Sequence, residues 1–328
     1  MKNFRIASVA ALSIALTAGA SLAADYPDRT INMIIPYGPG GATDISARTL
    51  AEPLGKVVPE ALVMVNRTGA GGATGSVSVK HASADGYTML FARVGSHTVN
   101  PAMKDTLPYT LDDFRFVGVY EINPVACAVR SDSDIDSLDE LASKVQAEPG
   151  SVTYSSSGVG ALQHIASAMV LKSFGVEKPL EQAVHLPMKG GGAAATAVLS
   201  GTATFICTNS AELASFVANG QFKPLMVTTT EPVAGFDAPS AASLGHPELE
   251  QLVGWTGVAG PKDLPDDIAA KWGEWLAAAT ADAGFREKME ARGSVIELMS
   301  PEDSAAFIQK QYEVFRALVD ELGMRISG

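Results

Sequence analysis

One unit recurs along this chain and constrains its fold more than any other feature: a short apolar strand, a glycine-rich loop, then a helix. Residues 30–36 read as a strand, 37–41 as a turn, and a helix begins near Ala42. Residues 62–66 form the next strand, followed by a glycine-rich loop at 69–75 and a small-residue helix. Residues 87–92 make a third strand. Beyond Phe114 the unit resumes. Residues 116–119 and 125–129 read as two strands, 138–145 as a helix, 151–154 as a strand and 155–160 as a loop. Leu162, Ile165, Met169 and Leu171 then follow helical spacing. A strand at 183–186, the loop Gly190-Gly191-Gly192, an alanine-rich helix to Leu199 and strands at 202–207 and 224–228 complete the block. Strands alternating with helices imply an α/β fold built on a parallel sheet.

The last third reads as mainly helical. Ile268, Trp272, Trp275 and Leu276 mark one amphipathic helix. The terminal helix has Ser300 as N-cap, Pro301 at its first position, acidic Glu302 and Asp303 in its first turn, and Gly323 as the residue that ends it. Its apolar stripe is Ile308, Tyr312, Phe315, Leu318 and Leu322.

The N-terminus stands apart from this pattern. Lys2 and Arg5 precede an apolar stretch at 6–18, and Ser21-Leu22-Ala23 forms a small-residue cleavage site. Residues 1–24 therefore read as a signal peptide, which places the mature protein in the periplasm. The apolar stretch is too short to span a bilayer, and no later segment is long enough, so no stable membrane insertion is expected. A mature chain of about 304 residues exceeds the usual size of one core and implies two domains.

Charge narrows the partners. The net charge of -12 argues against nucleic acid and anionic membranes. A site for an anion must then be built locally. The five histidines are scattered, with no HExxH or CxxC spacing, so neither a metal nor another cofactor is expected. Cys127 and Cys207 each lie in an apolar, strand-like run. Export permits a disulfide, and two buried thiols fit the sequence equally well.

Three strand–loop–helix junctions concentrate glycine: Pro36-Tyr37-Gly38-Pro39-Gly40-Gly41, residues 66–72, and Ser155-Ser156-Ser157-Gly158-Val159-Gly160. Free N–H groups at a helix start, with the positive end of the helix dipole, bind carboxylate or phosphate without a cationic side chain. Each loop taken singly is equally a tight turn. None is a P-loop, a GxGxxG fingerprint or a GxSxG nucleophile elbow. Asp44, in a first helical turn, reads as a cap or as a residue fixing the loop. His164 follows the third loop near a helix start, which would lower its pKa and keep it neutral. Lys189, before three glycines, reads as either a cleft residue or a solvated lysine.

Tyr26-Pro27-Asp28-Arg29, then Pro36 through Asp44, then Ala47-Arg48 resemble the opening of the tripartite tricarboxylate transporter receptors, the Bug family. Residues 66–72, Ala84-Asp85-Gly86-Tyr87-Thr88, Asn100-Pro101, residues 154–164 and residues 255–261 continue the resemblance over essentially the whole mature chain. It implies a type II-like Venus flytrap, with two α/β lobes joined by crossing strands. Lobe I would comprise residues 25–122 and 230–300, lobe II residues 123–229, and 301–328 a helix packed across both. It implies a small carboxylate (a di- or tricarboxylate, or an aromatic acid) held in the cleft by a monomer and delivered to transporter membrane subunits.

The ligand-binding residues would be Tyr37, Pro39, Gly40, Gly41, Ala42, Thr43 and Asp44 from the first lobe. Ser156, Ser157, Gly158, Val159, Gly160, Ala161 and His164 would come from the second, with Arg93, Lys189 and Thr208 beside them. The sequence departs from the family pattern in places. Ala161 stands where serine is frequent. Thr204 and Thr208 stand where aspartates are frequent, which removes acid groups from near the cleft. Pro53 interrupts the first helix. Arg93 replaces a small polar residue, and either faces the cleft to pair with a distal carboxylate or lies on the surface. An alternative class is an exported serine hydrolase, using Ser155, Ser156 or Ser157 with His164. Another is a receptor serving a sensor.

Overall fold

The structure is a computed structural model that describes residues 26–326, so the export segment read in residues 1–24 lies outside the described residues. The chain opens with β1 (Ile31–Ile35), α1 (Ala42–Val57), β2 (Leu62–Asn66), α2 (Ala73–Lys80) and β3 (Thr88–Arg93). β1 lies between β2 and β3, parallel to both. Pro53 sits inside α1, which runs on to Val57; the expected interruption does not occur. A wide helical turn, Gly95–Val99, leads to α3 (Asn100–Met103).

The next strand, β4 (Phe114–Arg130), corrects the expectation of two strands at 116–119 and 125–129. Glu121, Asn123 and Pro124 break the apolar pattern but not the backbone. The polar pair is buried and satisfied internally: Thr256 Oγ1 donates to Glu121, and Asn123 Nδ2 donates to Ser294 Oγ. The two halves of β4 serve different partners. Phe114 to Pro124 pair with β9 (Val253–Pro261), and Val125 to Arg130 pair with strands of the second half of the molecule.

That second half contains α4 (Leu138–Ala147), β5 (Thr153–Ser156), α5 (Leu162–Ser173), α6 (Pro179–Gln182), β6 (Val184–Pro187), α7 (Gly191–Leu199), β7 (Phe205–Asn209), α8 (Ser210–Ala218) and β8 (Phe222–Val227). After β9 the chain returns through α9 (Asp266–Thr280), α10 (Ala283–Glu290), β10 (Val295–Ile296) and α11 (Pro301–Leu322). The strand order is β2-β1-β3-β9-β4-β7-β5-β6, with β8 and β10 also on β4. Two α/β lobes thus share one strand, β4, which crosses between them.

β9 was not foreseen, because the region after residue 230 reads as mainly helical. Its glycines at 254, 257 and 260 hide the strand pattern, and one of them explains why. Gly257 pairs with Val119, and a Cβ there would lie 2.8 Å from the Gly118 carbonyl oxygen. Close strand approach excludes the β-branched residues that normally announce a strand.

Three apolar clusters hold the fold. Trp272, Trp275 and Leu276 of α9 cover Ile31, Met33 and Ile35 of β1 and Phe91 of β3. The alanines of α7 pack on Ala126 and Ala128 of β4, with Ile206, Val227 and Phe236. A third cluster runs from β3 through β4 to α5 and takes in Ile308, Phe315 and Val319 of α11. α11 also ties to β4 through the Val119 amide, which donates to Ser304 Oγ at 2.8 Å, and to α5 through Lys172 and Glu321 at 2.9 Å. Its ends follow the sequence: Ser300 Oγ accepts the Asp303 amide, and Gly323 is left-handed at φ 64°. Cys127 and Cys207 stand opposite one another on β4 and β7 and form a disulfide, so the bridge is the alternative realised.

The core also contains an acid-sensitive group. His97 is fully buried among Tyr109, Phe114, Phe116 and Trp255, and burial pushes its pKa down to about 3. Unfolding releases it to about 6.5. Because the folded value is the lower one, the neutral ring contributes stability above about pH 6.5, and that contribution is lost as pH falls towards 3. The unfolded ring is half protonated at pH 6.5 and the cost approaches about 1.4 kcal/mol per pH unit below that, so His97 alone removes roughly 2 kcal/mol between about pH 6.5 and 4.5. Urea unfolding measured at both pH values checks this. The His97→Phe variant should lose about that much less between them, and an identical loss in both proteins would contradict it.

Candidate functional site

A cavity of about 490 Å³ lies between the lobes. Lobe I lines it with Tyr37, Gly41, Ala42 and Thr43 at the start of α1, with residues 68–72, with Arg93 at the end of β3, and with Lys104. Lobe II contributes Ser157, Gly158, Val159, Ala161 and Gln163 at the start of α5, Lys189, Gly190 and Gly191 at the start of α7, and Asn209 and Glu212 of β7 and α8. Three helix starts thus converge on one space from both sides.

Ten of the residues singled out in the sequence line this cavity: Tyr37, Gly41, Ala42, Thr43, Arg93, Ser157, Gly158, Val159, Ala161 and Lys189. Seven do not: Pro39, Gly40, Asp44, Ser156, Gly160, His164 and Thr208. Most of the seven support the loops. Pro39 and Gly40 are exposed on the first turn. The Asp44 carboxylate accepts the Gly40 amide at 3.0 Å, Asn66 Nδ2 at 2.9 Å and Arg48 Nε at 2.8 Å. Asp44 is therefore the residue fixing the loop. Thr208 donates to Glu212 and accepts Gln163 Nε2 at 3.0 Å.

The second glycine loop is held from below. Asn100 Nδ2 donates to the Gly71 carbonyl at 2.8 Å, and Tyr37 Oη donates to the same oxygen at 3.1 Å. Gly72 has φ 95°, and a Cβ there would meet Tyr37 Oη at 3.0 Å, so only glycine lets the ring lie across the loop. Burial raises the Tyr37 pKa to about 12, which keeps it a neutral donor.

His164 stacks on His185 with ring centroids 3.8 Å apart. Its pKa is pushed down to about 3, first by burial and then by the neighbouring His185. The expected direction holds, but the cause is burial rather than the helix start. Burial likewise lowers His185 to about 4. The Gly160 amide donates to His164 Nδ1 at 3.4 Å, so the histidine braces the loop behind the cavity wall. Among the serines, Ser156 lies 2.6 Å from His185 Nε2, not beside His164. Ser156 is fully buried and lies outside the cavity lining, so this pair is not presented to a solute in the cleft.

The charged groups facing the cavity are Arg93, Lys104 and Lys189 against Glu212. Burial lowers the pKa of Lys104. Arg93 is 4% exposed. Its Nη1 donates to Thr256 Oγ1 at 2.6 Å and lies 3.9 Å from Glu121 Oε2. Its Nη2 is buried and has no partner among the described residues. Asn209 Oδ1 is in the same position. Buried polar atoms in native proteins are normally paired, so the spare Nη2 of Arg93, a residue of the cavity lining, suits a polar ligand.

Sequence reasoning missed Lys104, Gln163, Asn209 and Glu212. Thr204 and Thr208 are expected to remove acid groups from near the cleft, and Glu212 places one back in its lining. Its carboxylate enters from one helical turn beyond Thr208. The signal was an acidic residue four positions after Thr208 in a segment not read as a helix.

The model of the tripartite tricarboxylate transporter family receptor matches residues 46–324 of this chain. The chain belongs to that receptor family. Its members are periplasmic solute-binding proteins. Among the similar proteins is Protein BugT of Bordetella pertussis, 28% identical over all of both chains. The solved structure of the periplasmic binding protein BugD superposes with a TM-score of 0.85 at 27% identity, covering 92% of this chain and all of that one. MatC of Rhodopseudomonas palustris, solved with bound malate, superposes with a TM-score of 0.83 at 24% identity, covering 90% of this chain and all of that one; that likeness concerns the fold. Among the described residues no helix is long and apolar enough to cross a membrane.

Proposed function

We propose that this protein is a periplasmic solute receptor that binds a small organic carboxylate between its lobes and delivers it to the membrane subunits of a tripartite transporter. The observation that carries this reading is Arg93. A buried guanidinium with a spare Nη2 in an interlobe cavity is a donor waiting for an acceptor, and arginine matches carboxylate geometry. Helix starts, Lys104 and Lys189 supply further positive potential inside an acidic protein. The first and third glycine loops hold the ligand from the two lobes, with Asp44 and His164 bracing them. The malate in MatC supports a dicarboxylate as the first choice.

A thermal-shift panel of mono-, di- and tricarboxylates, aromatic acids and neutral sugars tests this. A dicarboxylate should raise the melting temperature. The Arg93→Met/Glu121→Gln variant, which removes the guanidinium with its buried counter-charge, should bind it about 10- to 100-fold more weakly, the worth of one charge-assisted hydrogen bond. Response to a neutral sugar and to no carboxylate would overturn the reading.

A further inference from the structure

The α1 helix start is not empty. Glu212 Oε1 accepts the Ala42 amide, the first residue of α1, at 2.8 Å. This bond joins lobe II to lobe I. The other oxygen, Oε2, accepts Gln163 Nε2 at 3.1 Å and the Thr208 hydroxyl. The start of α7 also lies against it: a Cβ on Gly191 would collide with the carboxylate. Glu212 is only 9% exposed and faces the cavity. A carboxylate that belongs to the protein therefore accepts from the start of α1 in lobe I and lies against the start of α7 in lobe II. Arg93, with its unpartnered Nη2 on the same cavity, is by contrast still open to an acceptor.

We infer that Glu212 takes the anion position at the start of α1, against the start of α7, and so determines specificity and latches the two lobes together. A ligand acid group finds Arg93 open, and it reaches the Ala42 amide only by displacing Glu212. The acid nearest α1 thus competes with a tethered carboxylate, whereas a ligand bearing a neutral donor at that end leaves Glu212 in place. The inference deepens the reading of the cleft as a carboxylate site, and its probes are formate and molecular shape, so it stands or falls separately from the ligand panel.

Two variants test it. Glu212→Ala vacates the position, and formate is small enough to refill it. At a formate concentration ten times its dissociation constant, the melting temperature of this variant should rise by about 3 °C while the unaltered protein shows no such rise. Small-angle X-ray scattering without formate should give Glu212→Ala a larger radius of gyration, restored by formate. Ala42→Pro removes the donor and sets its ring Cδ against the carboxylate, at a first helical position where proline is tolerated, after a residue already extended at ψ 165°. It should open the lobes in the same way and should not be closed by formate. Equal formate responses in the unaltered protein and Glu212→Ala, or an unchanged radius of gyration in Ala42→Pro, would overturn the inference.

Discussion

Replacing Glu121 with alanine is expected to destabilise the protein by about 3–5 kcal/mol, the usual consequence of stranding a buried charge. Glu121 has no exposed surface and sits on the strand that both lobes share. Its Oε1 accepts Ser294 Oγ at 2.8 Å and its Oε2 accepts Thr256 Oγ1 at 2.7 Å, with Arg93 Nη1 at 3.9 Å. The variant leaves the guanidinium buried with only Thr256 as partner, and leaves two hydroxyls without their acceptor. Arg93→Met produces the opposite imbalance. The double variant Arg93→Met/Glu121→Gln removes both charges together, and its loss should be smaller than the sum of Arg93→Met and Glu121→Gln by at least about 1 kcal/mol. Urea unfolding of the three proteins measures this. Strict additivity would show that the two charges do not depend on each other. The pair also sets the cavity lining, because β3, β4 and β9 with Thr256 fix Arg93 there.

The local features of this chain were legible in its sequence, and the long-range ones were not. Glycines at 40, 41, 158 and 190 mark helix starts because the backbone geometry needed there is set by adjacent residues. Ser300 and Gly323 mark helix ends for the same reason. What the sequence does not carry is which loops meet. Gly41 and Gly191 approach a common carboxylate that bonds Ala42 from a residue 170 positions further along the chain, and periodicity is silent at that distance. β4 looked like two strands because Glu121 and Asn123 mimic a loop, although tertiary partners satisfy both side chains. α8 is short and small-residue-rich, with little to distinguish it from the strand before it, so its Glu212 went unread. The apolar run before Arg93 leaves open whether it faces cleft or surface; β9 and Thr256, from far along the chain, put it at the cavity. Arg93 and Glu212, both in the cavity lining, are thus placed by contacts that no local rule reaches.

Replacing Cys127 and Cys207 together by alanine is expected to lower stability by up to about 4 kcal/mol. The cysteines are 80 residues apart, and the loop they close contains α4, β5, α5, α6, β6 and α7. Cross-linking so long a loop removes much of the freedom of the unfolded lobe II, and the benefit grows with loop length. Both residues are fully buried between β4 and β7, so reduction also leaves two thiols in the core where one compact bridge stood. Lobe I contains no corresponding cross-link among the described residues. The lobes should therefore respond unequally. In the reduced protein, hydrogen exchange should accelerate first in β5, β6 and β7, while β1 and β3 keep most of their protection. Urea unfolding with and without reductant, after thiol titration confirms reduction, measures the total. An unchanged urea midpoint with both thiols free would contradict the prediction. Such a bond persists only in an oxidising compartment. The same chain held in a reducing one should thus show a loosened lobe II and a cleft with only its lobe I wall in place.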